Sequence, residues 1–287
     1  MTERFNILIV HPGEYASYAP FHGGANMLYF GLRRLGYDAR IVANQYLHDT
    51  TNIILGAHHL AAEIAEKLPA GTIIYNTEQI QHDSEVVAAL QPFLGRFELW
   101  EHSLANVAVW RSLDVSNRIR YLQPGYVPES TTIDPATPTD IDVLFYGNVS
   151  PRRMGVLEGI MRAGIALQVA CDVYGRELDA LIARAKLVLN VHKSETTGLE
   201  MARVAHVLSN RRALVSEHGP NAAIDADLRE GIAAGTAGEL AGLCYALLAD
   251  DARRLALAQR GFELFSRRDL SASLRELLAA READRGR

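Results

Sequence analysis

Cysteine is nearly absent from this sequence. Cys171 and Cys244 are the only two, both in apolar surroundings, which excludes a disulfide scaffold and a cysteine-based zinc site and fits a reducing compartment. Long apolar runs are missing as well: no segment approaches the roughly 18 residues of a membrane span. No signal-peptide h-region precedes the first apolar run, so a cytoplasmic protein with at most peripheral membrane contact is expected. Excess positive charge is also lacking. Lys and Arg total 29 against 34 Asp and Glu, a net −5, and no global field draws the chain to nucleic acid. Neither a Gly-x-Gly-x-x-Gly fingerprint nor a Gly-Lys-Ser/Thr loop occurs, so neither NAD binding nor ATP hydrolysis is signalled.

What is present is an ordinary globular composition, 48% hydrophobic and 22% charged over 287 residues, enough for two domains. Short apolar runs predict strands at 6–10, 39–43, 52–55, 72–75, 97–100 and 120–123. A loop running to Gly24 and helices at 25–35, 60–68, 86–93 and 103–113 separate several of them. A Pro- and Thr-rich stretch then breaks the pattern. Beyond it, strands are predicted at 142–146, 167–173, 187–191 and 213–216, with helices at 154–162, 177–185 and 199–208. Everything after Gly238 reads as helix. This alternation argues for two doubly wound α/β domains facing across a cleft. The expected division is 1–130, a linker at 131–140, a second domain at 141–260, and C-terminal helices at 261–287 that pack back across both.

Ligands of such sheets bind outside the carboxyl ends of the strands, so residues that follow apolar runs carry the functional argument. The run ending at Val191 delivers His192 and Lys193, then Glu195, Thr197, Gly198, Leu199, Glu200 and Arg203. A helix starting near Gly198 offers backbone N–H groups and a dipole to an anion, and Lys193 adds a point charge. Glu200 suits the hydroxyls of a ribose. It also fits a capping box with Thr197, or a solvated pair with Arg203 three residues on, and both readings stand. After the run ending at Tyr146, Gly147 and Asn148 make a turn, Ser150 suits an N-cap and Pro151 the first helical position. Arg152 and Arg153 then fall in the first turn, where cations oppose the dipole unless an anion lies nearby; a diphosphate is the natural partner.

The first half supplies possible acid/base and acceptor-side groups after its strands: His11, Glu14, His22, Gly23, Glu78, Glu101 and His102. Glu78, two residues past Asn76 at a strand end, is the preferred base. His58-His59 reads as solvent-facing and Asp225-Ala-Asp227 as capping, and no metal site is expected. The C-terminal 253–287 segment holds nine arginines against five acids, with Phe262, Phe265, Leu270, Leu274, Leu277 and Leu278 in an apolar stripe. That stripe fits packing against the domains better than a membrane surface.

Several of these motifs resemble small bacterial and viral glycosyltransferase-like proteins of the two-Rossmann (GT-B) architecture. The resemblance is carried by Tyr75-Asn-Thr-Glu-Gln79, Leu99-Trp-Glu-His-Ser103 with Asn106, and Gln123-Pro-Gly-Tyr126. It continues through Asp142-Val-Leu-Phe-Tyr-Gly147 with Arg152-Arg153, Ala185-Lys-Leu-Val-Leu-Asn-Val-His192, Glu200-x-x-Arg203 and Ala213-Leu-Val-Ser-Glu217. It implies a nucleotide-sugar donor on the C-terminal domain, a small-molecule or glycan acceptor on the N-terminal one, and no bound metal. Glu195, Gly198 and Leu199 match the family's Glu-x7-Glu donor motif, but Arg203 stands where its second glutamate belongs.

The resulting expectation is a metal-independent glycosyltransferase that needs no cofactor beyond its co-substrate, a UDP-sugar. Gly147, Asn148, Arg152, Arg153, Lys193, Thr197, Gly198 and Leu199 would hold the donor, with Arg152, Arg153 and Lys193 stabilising the leaving diphosphate. His192 and Glu195 would contact the sugar, Glu200 and Arg203 the ribose or phosphate, and Glu78 would be the base of an inverting reaction. A nucleotide-sugar 2-epimerase and a non-catalytic binding homologue are the alternatives.

Overall fold

The computed structural model describes residues 3–11, 19–115, 119–193, 199–219 and 224–286. The chain divides into two units: Met1–Val127 with Asp269–Arg287, and Pro128–Arg268.

Unit 1 is a six-stranded parallel sheet built from β1 (Arg4–Ile9), β2 (Asp38–Ala43), β3 (Thr51–Leu55), β4 (Ile73–Asn76), β5 (Glu98–Glu101) and β6 (Ile119–Tyr121), in the order β2-β1-β3-β4-β5-β6. Its strands read as continuous apolar runs because both faces are covered. Phe5, Ile7 and Ile9 point to one face, with Ile53, Ile73 and Trp100 of the neighbouring strands. Leu8, Ile54, Ile74 and Leu99 point to the other. The period of two along each strand thus sorts one run into two cores. α2 (Glu85–Leu94) and α3 (Leu104–Ser112) cover the second face. α1 (Ala19–Arg34) covers the first, with a helix from the far end of the chain that supplies Leu270, Leu274, Leu277 and Leu278.

Unit 2 comprises β7 (Ile141–Tyr146), α4 (Pro151–Arg162), β8 (Leu167–Ala170), α5 (Gly175–Arg184), β9 (Ala185–Asn190), α6 (Met201–Ser209), β10 (Ala213–Glu217), β11 (Ala233–Gly235), α7 (Leu240–Leu248) and α8 (Asp251–Phe265). The sheet is parallel, in the order β11-β10-β9-β7-β8. The chain returns to unit 1 as α9 (Leu270–Arg285), whose N-terminus is capped by Asp269 through Ser271 N–H at 2.8 Å.

Some local details depart from the expectations and others add to them. The 60–68 stretch forms only short 3₁₀ turns, closed by bonds such as Ile64 N to Ala61 O at 3.0 Å, before Pro69 ends it. Helix α1 begins at Ala19, so His22 and Gly23 lie in its first turns and not in a loop. The Pro/Thr segment 131–140 is tied into unit 2: Asn210 Oδ1 accepts from Thr132 N at 2.8 Å and Ile133 N at 2.9 Å, and Ile133 is buried. Finally, the arginines of α9 serve unit 1 itself. Arg281 donates to Gly71 O at 2.6 Å and pairs with Glu3 and Glu98, while Arg120 pairs with Asp284 at 2.5 Å. No helix among the described residues is long and apolar enough to cross a membrane.

Candidate functional site

In unit 2 the strand order reverses at β7, with β8 on one side and β9 on the other, and the carboxyl ends there form the switch point at which such sheets take ligands. Gly147 leaves β7 with φ 110°, a left-handed value, and a Cβ there would stand 3.1 Å from Arg203 Nη2. Ser150 caps α4, accepting from Arg153 N at 3.3 Å, with Pro151 starting the helix.

Arg152 and Arg153 do occupy the first turn, but their counter-charges come from the chain itself. Arg152 forks onto Glu217 at the end of β10, with Nη1 at 3.0 Å from Oε2 and Nη2 on Oε1, and Nη1 also donates to His192 O at 3.0 Å. Arg153 donates through Nε to Val191 O at 2.9 Å, through Nη1 to Asn148 O at 2.7 Å, and through Nη2 to Glu200. The second Glu200 oxygen receives Arg203 Nη1 at 2.7 Å. Arg203 also reaches Asn190 Oδ1 and Tyr146 O, the latter at 2.8 Å, and lies 4.9 Å from the Tyr146 ring centroid.

Two expectations are corrected by this network. The arginine pair is offset by built-in carboxylates, so its place at a helix start does not by itself require an outside anion. Glu200 is not a capping-box residue: α6 begins at Met201, and the Glu200 side chain makes no cap bond because two guanidinium groups hold it. Glu195, Thr197 and Gly198 lie outside the described residues, as does Glu14. Leu199 is buried, Asn148 is exposed, and Lys193 is exposed with its carbonyl accepting from Ser150 Oγ at 3.2 Å.

Burial, followed by the neighbouring Arg203 and Arg152 charges, lowers the Arg153 pKa to about 10. Burial likewise lowers Arg203. For Glu217 burial pushes the pKa up, but the Arg152 fork and the His192 N–H, 3.0 Å from Oε2, together hold it below the ordinary glutamate value. His192 is lowered, burial outweighing the pull of Glu217, so its ring is neutral at pH 7. Both ring nitrogens are enclosed without a hydrogen-bond partner among the described residues. Such atoms cost about 1–3 kcal/mol each, and a polar ligand that bonds them removes that cost.

These directions set an acid response. An unfolded Glu217 takes a proton near 4.5, while the folded one takes it only at lower pH. The stabilisation is therefore whole above 4.5 and lost as pH falls through the folded value. Glu217→Gln is expected to lower the unit 2 melting temperature at neutral pH and to flatten its fall on acidification. Thermal melts between about pH 3 and 7 check this.

In unit 1 the carboxyl ends of β4 and β5 are stitched together by Glu101. Its Oε2 accepts from Asn76 Nδ2 at 2.8 Å and Trp110 Nε1 at 2.9 Å; Oε1 accepts from Asn106 Nδ2 at 2.9 Å and from His102 N and Nδ1, each at 3.0 Å. Fully buried, Glu101 is a positioning carboxylate and not the acid/base group expected of it. The same corner fixes the backbone of Glu78, whose carbonyl accepts from Asn76 at 2.9 Å and Asn106 at 2.7 Å. That leaves the Glu78 carboxylate half-exposed at the strand end. The Nδ1 of His102 faces only acceptors, Glu101 Oε1 and Asn76 O, so it carries the ring proton. Main-chain atoms of His11 are held by Asn44 at 2.7 and 2.9 Å. His22 and Gly23 are exposed on α1. Asp225 and Asp227 do not cap a helix; they clamp Arg268 at 2.8 and 2.5 Å. Among the described residues no group of three or more His, Cys, Asp or Glu is arranged to hold a metal.

Solved structures share this architecture. Anabaena Alr3699/HepE, in complex with UDP and glucose, is 12% identical with a TM-score of 0.61, over 97% of this chain and 100% of that one. The chain has the GT-B fold. A trehalose-6-phosphate protein from E. coli bound with UDP-2-fluoro glucose gives a TM-score of 0.60 at 10% identity over 97% and 98% of the two chains. Sucrose-phosphate synthase from Thermosynechococcus elongatus gives 0.59 at 10% identity over 98% and 100%. Among curated proteins, uncharacterized protein L140 of Acanthamoeba polyphaga mimivirus is 25% identical over 165 residues, 56% of this chain and 54% of that protein. The matched stretch thus spans about half of that relative's length. No family model matches the sequence.

Glu217, Asn190, Asn76 and Asn106 stand in the sequence motifs that carry the resemblance but had no role there, and Trp110, which completes the cage, was missed. A charged residue closing an apolar strand marks Glu217 in Ala213-Leu-Val-Ser-Glu217. Asn190 and the cage carry no such mark, because buried amides look like any other polar residue until their partners are known.

Proposed function

We propose that this chain is a glycosyltransferase that moves a sugar from a nucleoside diphosphate sugar, a UDP-sugar foremost, to a hydroxyl acceptor. The observation that carries the proposal is the convergence of Arg152, Arg153, Arg203 and the unpartnered His192 ring on one switch point of a GT-B sheet. UDP or a UDP-sugar analogue is named for two of the solved structures with this fold. When the bond from the anomeric carbon to the diphosphate breaks, negative charge grows on the leaving oxygen, and pre-placed cations stabilise it. Arg152, half-buried and forked onto Glu217, and Lys193, exposed, are the cations assigned to that charge. Arg153 and Arg203 tie the chain beyond β7 to that beyond β9 through Tyr146, Asn148 and Val191, and supply field. His192 bonds the sugar or phosphate, Glu200 exchanges an arginine for the ribose hydroxyls, and Glu78 takes the acceptor proton. The acceptor side is unit 1. No metal enters the scheme.

UDP is expected to raise the melting temperature, by about 2.7 kcal/mol of stabilisation at 100 times its dissociation constant. Arg152→Gln should weaken UDP binding roughly 10- to 100-fold, the loss of a charged hydrogen bond, and so should Lys193→Ala, an exposed position whose loss does not threaten folding. A wild-type protein indifferent to UDP, GDP, dTDP and CMP compounds would remove the proposal. Incubating the donor without acceptor separates the epimerase alternative, which changes the sugar and keeps the diphosphate linkage.

A further inference from the structure

The sheet of unit 1 has its own switch point, between β1 and β3. What stands outside β3 is a pair of imidazoles. Every residue of β3 is buried, and Gly56 turns the chain with φ 77°; a Cβ there would meet the Phe21 ring at 3.0 Å. A single 3₁₀ turn follows, Ala57–His59, closed by His59 N to Gly56 O and Leu60 N to Ala57 O, both at 3.0 Å, and anchored by buried Ala57. At three residues per turn, neighbours are 120° apart rather than on the faces expected of an α-helix. The solvent-facing reading of this pair therefore fails for His58, which is half-buried.

The two rings lie 4.0 Å apart at 46°, and the buried Phe21 ring meets them edge-on at 6.2 and 6.3 Å. Neither imidazole has a hydrogen-bond partner among the described residues, and the His58 nitrogens are absent from the enclosed unpartnered atoms, so they reach the surface. Burial, and secondly the His59 ring, lowers the His58 pKa to about 4, and no carboxylate opposes that shift. At neutral pH the His58 ring is therefore uncharged, and it stands tilted against His59 with its nitrogens open to a ligand.

We propose that His58 and His59 form a subsite for a neutral polyhydroxylated ligand, a sugar ring or polyol, which lies against the imidazoles and hydrogen-bonds their nitrogens. The half-buried His58 ring carries no charge at neutral pH to attract a phosphorylated sugar, and no third ligand for a metal is assembled among the described residues. Naming the ligand the acceptor rests on the glycosyl-transfer reading; the binding itself does not.

The test is an NMR titration of the 15N-labelled full-length protein, following the side-chain signals of both imidazoles. Glucose, galactose, mannose and N-acetylglucosamine are the probes, with glucose 6-phosphate and ZnCl2 as contrasts. At least one neutral sugar should shift both rings saturably. His58→Phe keeps the ring contact with Phe21 and removes the nitrogens; it should weaken that binding about tenfold, the loss of one hydrogen bond. His59→Ala, at an exposed position where folding is not at stake, should weaken it as well. Overturning results are no response to any neutral sugar, unchanged affinity in both variants, tenfold tighter binding of glucose 6-phosphate than of glucose, or a response to Zn²⁺ alone. A UDP thermal shift on the same samples reports on unit 2 separately, so a failed donor reading and a failed sugar subsite are told apart.

Discussion

Glu101→Ala is expected to destabilise unit 1 by about 3–5 kcal/mol, since it leaves several buried donors unsatisfied at about 1–3 kcal/mol each. Five donor groups converge on this one carboxylate: Asn76 Nδ2, Asn106 Nδ2, Trp110 Nε1, and the main-chain and ring N–H of His102. A methyl group satisfies none of them, and water has little access because Glu101, Asn76, Asn106 and Trp110 are all buried. Glu101→Gln fills the space and keeps one accepting oxygen, but its NH2 faces the two or three donors that bonded the other, so it should recover only part of the loss. The measurement is unusually clean. Both tryptophans of the chain, Trp100 and Trp110, belong to unit 1, so denaturant unfolding followed by their fluorescence reads this unit directly. A shift under about 1 kcal/mol would show that the cage relaxes and that Glu101 is not what holds it.

Glu200→Ala carries the second large effect, again about 3–5 kcal/mol, and here unit 2 loses it. Glu200 is the shared counter-charge of Arg153 and Arg203, whose side chains are only 5% and 6% exposed. Without it two buried cations face each other, each with other hydrogen bonds that prevent it from swinging out to water. Far-UV circular dichroism should register the loss, while the tryptophan transition of unit 1 stays in place. The variant also gives a test of the site's anion chemistry. Pyrophosphate should stabilise Glu200→Ala more than the wild type, since it replaces a missing counter-charge instead of competing with a resident one. Equal stabilisation of the two proteins would mean that pyrophosphate binds away from this network.

The doubly wound pattern was legible because its strands are buried on both faces. Runs such as Ile7-Leu8-Ile9 and Leu187-Val188-Leu189 stand out from any amphipathic helix, and the loops that follow them are where a ligand of such a sheet is sought. Strand β11, only Ala233–Gly235, has no apolar run to reveal it; it exists because the backbone of β10 offers an edge to pair with. The polar residues divide the same way. Arg152, Arg153, His192, Glu200 and Arg203 could be singled out by their places after strands, and the local Glu200–Arg203 pair by its spacing, but not the partners distant in sequence.

The order of apolar runs along the chain therefore determined, by itself, that two parallel sheets form and that charged residues cluster after β7 and β9, since hydrophobic burial depends on local pattern. Only the tertiary structure decided which carboxylate meets which guanidinium, that Glu101 is a buried strut, and that His58 rests on Phe21. Hydrogen bonds and ion pairs act over a few ångströms, and residues 38, 47 or 65 positions apart, such as Val191 and Arg153, Arg153 and Glu200, or Arg152 and Glu217, reach that range only once the sheet has closed.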